Sequence, residues 1–133
     1  PRTMQADPRY ADVVAEIAGY LSQRIEAAMK AGIAAERIAV DPGIGFGKTV
    51  AHNLQLIGQA EAFHALGRPI LYGVSRKSFI GKTLGLDVEE RLEGTAAMVA
   101  ACALRGVQIM RVHDVKAMRR LVDMLDALRA ETF

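Results

Sequence analysis

Arg37-Ile38-Ala39-Val40-Asp41-Pro42-Gly43-Ile44-Gly45-Phe46-Gly47-Lys48 is a short apolar run that ends in a carboxylate and opens into a loop of proline and glycine. Residues 37–40 read as a strand, and Pro42 with the glycines at 43, 45 and 47 ends it. Upstream, Asp7 before Pro8 reads as an N-cap with proline in the first helical turn. Apolar residues at Val13, Val14, Ile17, Leu21, Ile25 and Met29 keep a helical period, and Gly32 closes that helix. Downstream, Leu54, Leu56, Ile57, Ala60 and Phe63 predict a helix that stops at Gly67.

The same unit then recurs. Pro69 to Val74 is a second apolar strand, followed by Ser75-Arg76-Lys77-Ser78, a connection from Phe79 to Asp87 and a helix over 88–104. Gly106 closes that helix, Val107 to Val112 is a third strand, and Asp114 caps a last helix. The inward positions of that helix are Val115, Met118, Leu121, Val122, Leu125 and Leu128. The order is α-βα-βα-βα. Short apolar strands without alternation are buried on both faces and belong to a parallel sheet with helical crossovers. Such a pattern fits a doubly wound open sheet or a piece of a (β/α)₈ barrel. Three strands are few for either, and an opening helix with no strand before it fits the barrel piece. The chain also begins Pro1-Arg2-Thr3 without a methionine, which fits either a segment of something longer or a processed or trimmed terminus.

With 133 residues and 51% apolar content, the chain holds one domain, residues 1–133, with ample core material. Seventeen basic against fifteen acidic residues leave a formal charge of +2 and no basic run, so no nucleic-acid partner is expected. No apolar stretch approaches membrane-spanning length, and a lone cysteine excludes an internal disulfide. The expectation is a soluble, cytoplasmic protein.

Polar residues gather at the carboxyl ends of the strands: Asp41 after the first, residues 75–78 after the second, and Arg111, His113 and Asp114 after the third. Ligands of parallel α/β folds bind on that side, so these groups are predicted to share one face. Arg37, Arg68 and Gln108, at the opposite ends, read as solvated loop positions. Asp41 offers two acceptor oxygens to a flat ring with adjacent N–H donors. Lys77 adds a mobile cation, and Arg111 offers a plane for stacking or a fork for phosphate. His113 is two residues on and faces the same way, beside the helix start at Asp114, which makes an oxyanion or phosphate site. A heteroaromatic ligand carrying an anionic group is indicated. Gly47-Lys48-Thr49 is no P-loop, because proline stands at 42 where that motif needs glycine. Gly43, Gly45 and Gly47 also miss the dinucleotide spacing. The glycines instead clear space for a ligand, with Phe46 projected between them.

Four segments together resemble dihydropteroate synthase. They are Asp41-Pro42-Gly43-Ile44-Gly45-Phe46-Gly47-Lys48-Thr49 with His52-Asn53, Gly73 to Gly81, Arg91 to Thr95, and Arg111-Val112-His113-Asp114. Order and spacing agree over essentially the whole chain, and Pro1 to Gln5 resembles the segment after the fifth barrel strand. The resemblance implies a partial (β/α)₈ TIM barrel, about strands six to eight with helices five to eight. It implies a transferase of folate biosynthesis that joins p-aminobenzoate to 7,8-dihydropterin-6-ylmethyl diphosphate and releases diphosphate with Mg²⁺. It places pterin on Asp41, Lys77 and Arg111, diphosphate on Arg111 and His113, and p-aminobenzoate, with competing sulfonamides, on Phe46, Lys77 and Ser78. The Mg²⁺ ligand and two mobile loops belong to the family's first half, so no metal site is expected in this chain and the chain alone is expected to be inactive.

Two other readings are open. A pterin-dependent methyltransferase domain shares an aspartate at a barrel strand end, although residues 75–78 and 111–113 favour the synthase. A non-catalytic half-barrel would self-associate through its strand edges and apolar inner face. Arg76 reads as a partner in a structural salt bridge, Lys48 and His52 as structural or solvated, and Cys102 as a packed small hydrophobe. The helix holding Thr95 to Leu104 is apolar nearly all round, which predicts a second face against another chain. The family's dimers use the late helices, so a homodimer, or association with a missing first half, is expected.

Overall fold

A computed structural model of the chain describes residues 8–132, apart from the side chain of Thr132. The readings of Pro1 to Gln5 and of Asp7 lie outside these residues. Pro8 is not helical, and the first helix, α1 (Val13–Lys30), begins at Asp12 instead. The Asp12 carboxylate accepts from the N–H groups of Val14 and Ala15, both at 3.0 Å, while Glu16 reaches back to the Asp12 N–H at 3.1 Å. Gly32, at φ +92°, ends the helix as expected.

The first strand reduces to a single parallel bridge, Val40 to Ile70. Residues 35–37 wind instead into a 3₁₀ turn, which takes Arg37 out of the strand. Strand β1 (Leu71–Tyr72) runs parallel to β2 (Ile109–Met110), with Leu71 opposite Ile109 and Tyr72 opposite Met110. Successive strands are therefore neighbours, and the segments between them are mainly helical. This is an α/β arrangement of the kind a partial barrel requires.

Burial on both faces holds only for the central strand, and there unevenly. Ile70, Tyr72 and Val74 are fully buried, and the Tyr72 hydroxyl donates to the Leu56 carbonyl in α2 (Val50–Gly58) at 2.8 Å. That face packs on helices. Leu71 and Ile109 point the other way, toward the interior of a barrel, and Ile109 stays 39% exposed. Arg68 and Gln108 also act as ties, Gln108 while staying exposed: Arg68 donates to the Ala35 carbonyl at 2.7 Å, and Gln108 accepts from the Ile70 N–H at 2.8 Å.

The helix predicted to run to Gly67 breaks after Gly58, and residues Ala60–Leu66 continue as 3₁₀ helix. Its inward face is Asn53, Leu56, Ile57 and Ala60, at i, i+3, i+4 and i+7; Leu54 falls off that stripe and is exposed. Met29, Val115 and Leu128 are likewise exposed, contrary to their periodic reading. Met29 and Val115 sit in the last and first turns of their helices, and Leu128 lies toward the C-terminal end of the last helix. The connection after residue 78 holds an unforeseen helix, α3 (Ser78–Leu84), closed by Gly85 at φ +69°. Gly81 inside it lies under the Arg91 guanidinium, where a Cβ would overlap that side chain. Val88–Glu90 is a 3₁₀ turn, so α4 spans only Leu92–Leu104.

Helix α4 packs against α2, α3 and α5 (Val115–Thr132). Neighbours within the chain thus account for much of its all-round apolar character, which was expected to need another chain. Leu92 and Leu104, at its ends, remain exposed. Cys102 is fully buried in this packing, and burial pushes its thiol up to about 12. A thiol reagent at pH 8 should therefore leave the folded protein unlabelled and modify Cys102 only after denaturant is added. Labelling at the unfolded rate without denaturant would contradict this packing. Among the described residues, no helix is long and apolar enough to cross a membrane.

Candidate active site

The glycine loop is a braced structure. Asp41, exposed, accepts from the Gly43 N–H at 2.8 Å and so turns the chain as it leaves the strand. Gly43, Gly45 and Gly47 all take positive φ, at +74°, +82° and +58°. Ile44 is buried beneath them. Lys48 closes the loop from inside: its ammonium donates to the carbonyls of Gly43 at 3.0 Å and Phe46 at 2.9 Å. Burial pulls its pKa down, with Asp41 opposing. Asn53 accepts from the Gly45 N–H at 2.7 Å and donates to the Thr49 carbonyl at 2.8 Å. His52 forms the capping box of α2 with Thr49. Lys48 and His52 are accordingly structural.

What the loop presents is Phe46, half exposed and not part of the core. The Lys77 ammonium lies 3.9 Å from the centre of its ring. Gly45 makes this approach possible, since a Cβ there would stand 2.8 Å from Lys77 Cδ. Burial, then the nearby Arg111, lower the Lys77 pKa, while Asp41 raises it. Asp41, Lys77 and Arg111 are thus within electrostatic reach of one another.

The second and third strand ends meet around a cleft of about 340 Å³ lined by Gly73, Ser75, Lys77, Arg111, Val112 and His113. Gly73 lets the Arg111 guanidinium lie across the backbone, for a Cβ there would be 2.8 Å from its Nη2. Ser75 is buried and fixes His113 twice: its Oγ accepts the His113 N–H at 3.1 Å and lies 2.8 Å from Nδ1. With the Ser75 hydroxyl hydrogen assigned to Nδ1, Nε2 carries the ring proton and is a donor. Ser78, exposed, is the first residue of α3. Arg76 pairs with Asp114, Nε to Oδ2 at 3.2 Å and Nη2 to Oδ1 at 2.9 Å, the structural salt bridge expected of it.

Four of the six predicted site residues therefore surround two adjoining features: Phe46 and Lys77 over the glycine loop, and Lys77, Arg111 and His113 around the cleft. Asp41 stands within charge range of Lys77, and Ser78 lies next to it in sequence. Two cations, Lys77 and Arg111, beside the ring N–H of His113 suit an anion, and the exposed Phe46 ring suits an aromatic ligand. The braces Asn53 and Ser75 were not foreseen as such. Asn53 was findable, because it occupies an inward position of the helical stripe; Ser75 was marked only as part of the polar cluster 75–78, and not as the anchor of His113.

A family model described as "Pterin binding enzyme" matches residues 1–113, and the chain belongs to that family. Within it, the similar proteins are dihydropteroate synthases. The synthase of Escherichia coli K12 is 46% identical over 116 residues, which cover 87% of this chain and 41% of the relative. The Yersinia pestis synthase, solved in complex with a sulfonamide drug, superposes with a TM-score of 0.94 at 38% identity, over 96% of this chain and 46% of that one. The Xanthomonas albilineans synthase, solved with 7,8-dihydropteroate, gives 0.90 at 43% identity, over 92% and 47%. The chain spans less than half the length of each.

Proposed function

We propose that this chain forms about strands six to eight, with helices five to eight, of a dihydropteroate synthase barrel. The reading rests above all on one observation: Lys77, Arg111 and His113, from two strand ends, surround a single cleft beside Phe46 and Asp41. Asp41 takes the N–H edge of the pterin ring, Lys77 hydrogen-bonds the pterin, and Arg111 stacks on it. Arg111 and the Nε2–H of His113 hold the diphosphate. Phe46, Lys77 and Ser78 line the p-aminobenzoate site. In the reaction the carbon–oxygen bond to diphosphate breaks, the arylamine nitrogen bonds that carbon, and the amine loses a proton. Lys77, Arg111 and His113 stabilise the departing negative charge, while Asp41 stabilises positive charge developing on the pterin.

Among the described residues, no group of three or more His, Cys, Asp or Glu gathers to hold a metal. We place the Mg²⁺ ligand in the first half of the family's barrel and derive no step from the ion. A homodimer through the late helices is supported by exposed Leu104, Met124 and Leu128. Association with the rest of the barrel is supported by the apolar face of Leu71 and Ile109. A cytoplasmic location is part of this reading, since a lone, buried Cys102 fits a reducing compartment.

The test is turnover by the full-length protein carrying this sequence, supplied with p-aminobenzoate and 7,8-dihydropterin-6-ylmethyl diphosphate. Dihydropteroate and one equivalent of diphosphate are expected. Methyl transfer from methyltetrahydrofolate, with no dihydropteroate, would overturn the assignment in favour of a pterin-dependent methyltransferase.

A further inference from the structure

We propose that Arg76 is a positioning residue, and that its ion pair with Asp114 is a strut fixing the Lys77–Ser78 arm relative to the Arg111–His113 arm. The proposal rests on the synthase reading above. Arg76 is the only residue other than glycine with positive φ among the described residues, at +55°. A long side chain holds that conformation only where its surroundings over-determine it. Here they do. The Arg76 N–H donates at 3.0 Å to Oγ1 of Thr95, which is fully buried in α4. The Arg76 carbonyl accepts from Arg91 Nη1 at 2.9 Å, and the same guanidinium grips the Leu86 carbonyl through Nη2 at 3.2 Å and Nε at 3.3 Å.

The side chain then crosses to the third strand end. Its two-point contact with Asp114 is fork to fork, with both side chains about one-third exposed (33% and 27%), and Glu89 stands further out, 3.7 Å from Nη1. The direct hydrogen bonds keep the Asp114 carboxyl below its usual range. Position in the chain gives the pair its consequence. Arg76 directly precedes Lys77, and Asp114 directly follows His113. Ser75, on the other side of Arg76, holds His113 through Oγ. Residues 75 and 76 are thus spliced to residues 113 and 114 at two points. Ser75 and Lys77 turn into the cleft, while Arg76 between them turns to Asp114. The left-handed turn at Arg76 sends neighbouring side chains to these two destinations. Two reacting groups held by separate loops need such a fixed spacing, because arylamine and pterin react only when aligned.

The test uses the full-length protein carrying this sequence, with kcat, both KM values, inorganic diphosphate binding and thermal stability measured for each variant. Arg76→Gly is the informative change, because it relieves the positive φ while deleting the ion pair. Arg76→Gly and Asp114→Asn should each lower kcat by about 30-fold, as expected for a misplacement of under an ångström. Their affinity for inorganic diphosphate should stay within about threefold, since Arg111 and His113 keep their own anchors. Asp114→Glu, which can re-form the fork, should recover most of the lost kcat. Arg76→Gly with unchanged kcat, whatever its melting temperature, overturns the strut alone. Absence of dihydropteroate from the unsubstituted protein overturns the parent reading, and the strut with it.

Discussion

Replacing Arg111 with alanine in the full-length protein is expected to weaken binding of the pterin diphosphate by about 100-fold, the loss of one charge-assisted, two-point contact. The guanidinium lies across Gly73, with its Nη2 2.8 Å from where a Cβ would be, and it borders the cleft shared with Lys77 and His113. It also lowers the Lys77 pKa by repulsion, so an anion placed between them relieves a like-charge pair as well as gaining donors. Because Arg111 is exposed, its removal should change folding stability by no more than about 0.5 kcal/mol. Calorimetric titration with pterin diphosphate, paired with a denaturant melt, separates the two effects. Unchanged affinity would remove Arg111 from the site, and a large loss of stability would make it a structural residue.

The second large effect is on the glycine loop. Asn53→Ala is expected to destabilise the protein by about 2–3 kcal/mol, because it deletes a nearly fully buried side chain with two good hydrogen bonds. One of those bonds fixes Gly45, over which the Lys77 side chain passes, so the loop that carries Phe46 should loosen together with the fold. Gln55→Ala, on the exposed side of the same helix, is the control and should stay within about 0.5 kcal/mol. Urea unfolding of both variants gives the answer. An Asn53→Ala midpoint equal to that of the control would show that the loop holds its shape without this brace.

Much of the site was legible because its chemistry sits where the chain changes character, from apolar strand to polar loop. Asp41, Lys77, Arg111 and His113 could each be found by that change alone. The partners of Ser75 and Arg76 could not, since they lie across long sequence separations. Ser75 meets His113 and Arg76 meets Asp114, each 38 residues away. Periodicity found α1, α4 and α5 and missed α3, a seven-residue helix with a glycine inside and no full amphipathic repeat. The first strand was over-read for a related reason. An apolar run such as Ile38 to Val40 says that residues can be buried, but ladder length depends on the partner, and only Val40 finds one. The misplaced Leu54 shows the opposite error: an apolar residue was assigned inward while the true inward position belonged to the polar Asn53.

A pterin diphosphate is expected at the carboxyl ends of these three strands. A crystal structure of the full-length protein with that ligand and p-aminobenzoate tests it most directly. The expected result has the pterin's N–H edge on the Asp41 carboxylate, its ring against Arg111, the diphosphate on Arg111 and His113, and the p-aminobenzoate ring between Phe46 and Lys77. Ligand bound away from these strand ends, with Lys77 still resting on Phe46 and Arg111 still lying over Gly73, would contradict it.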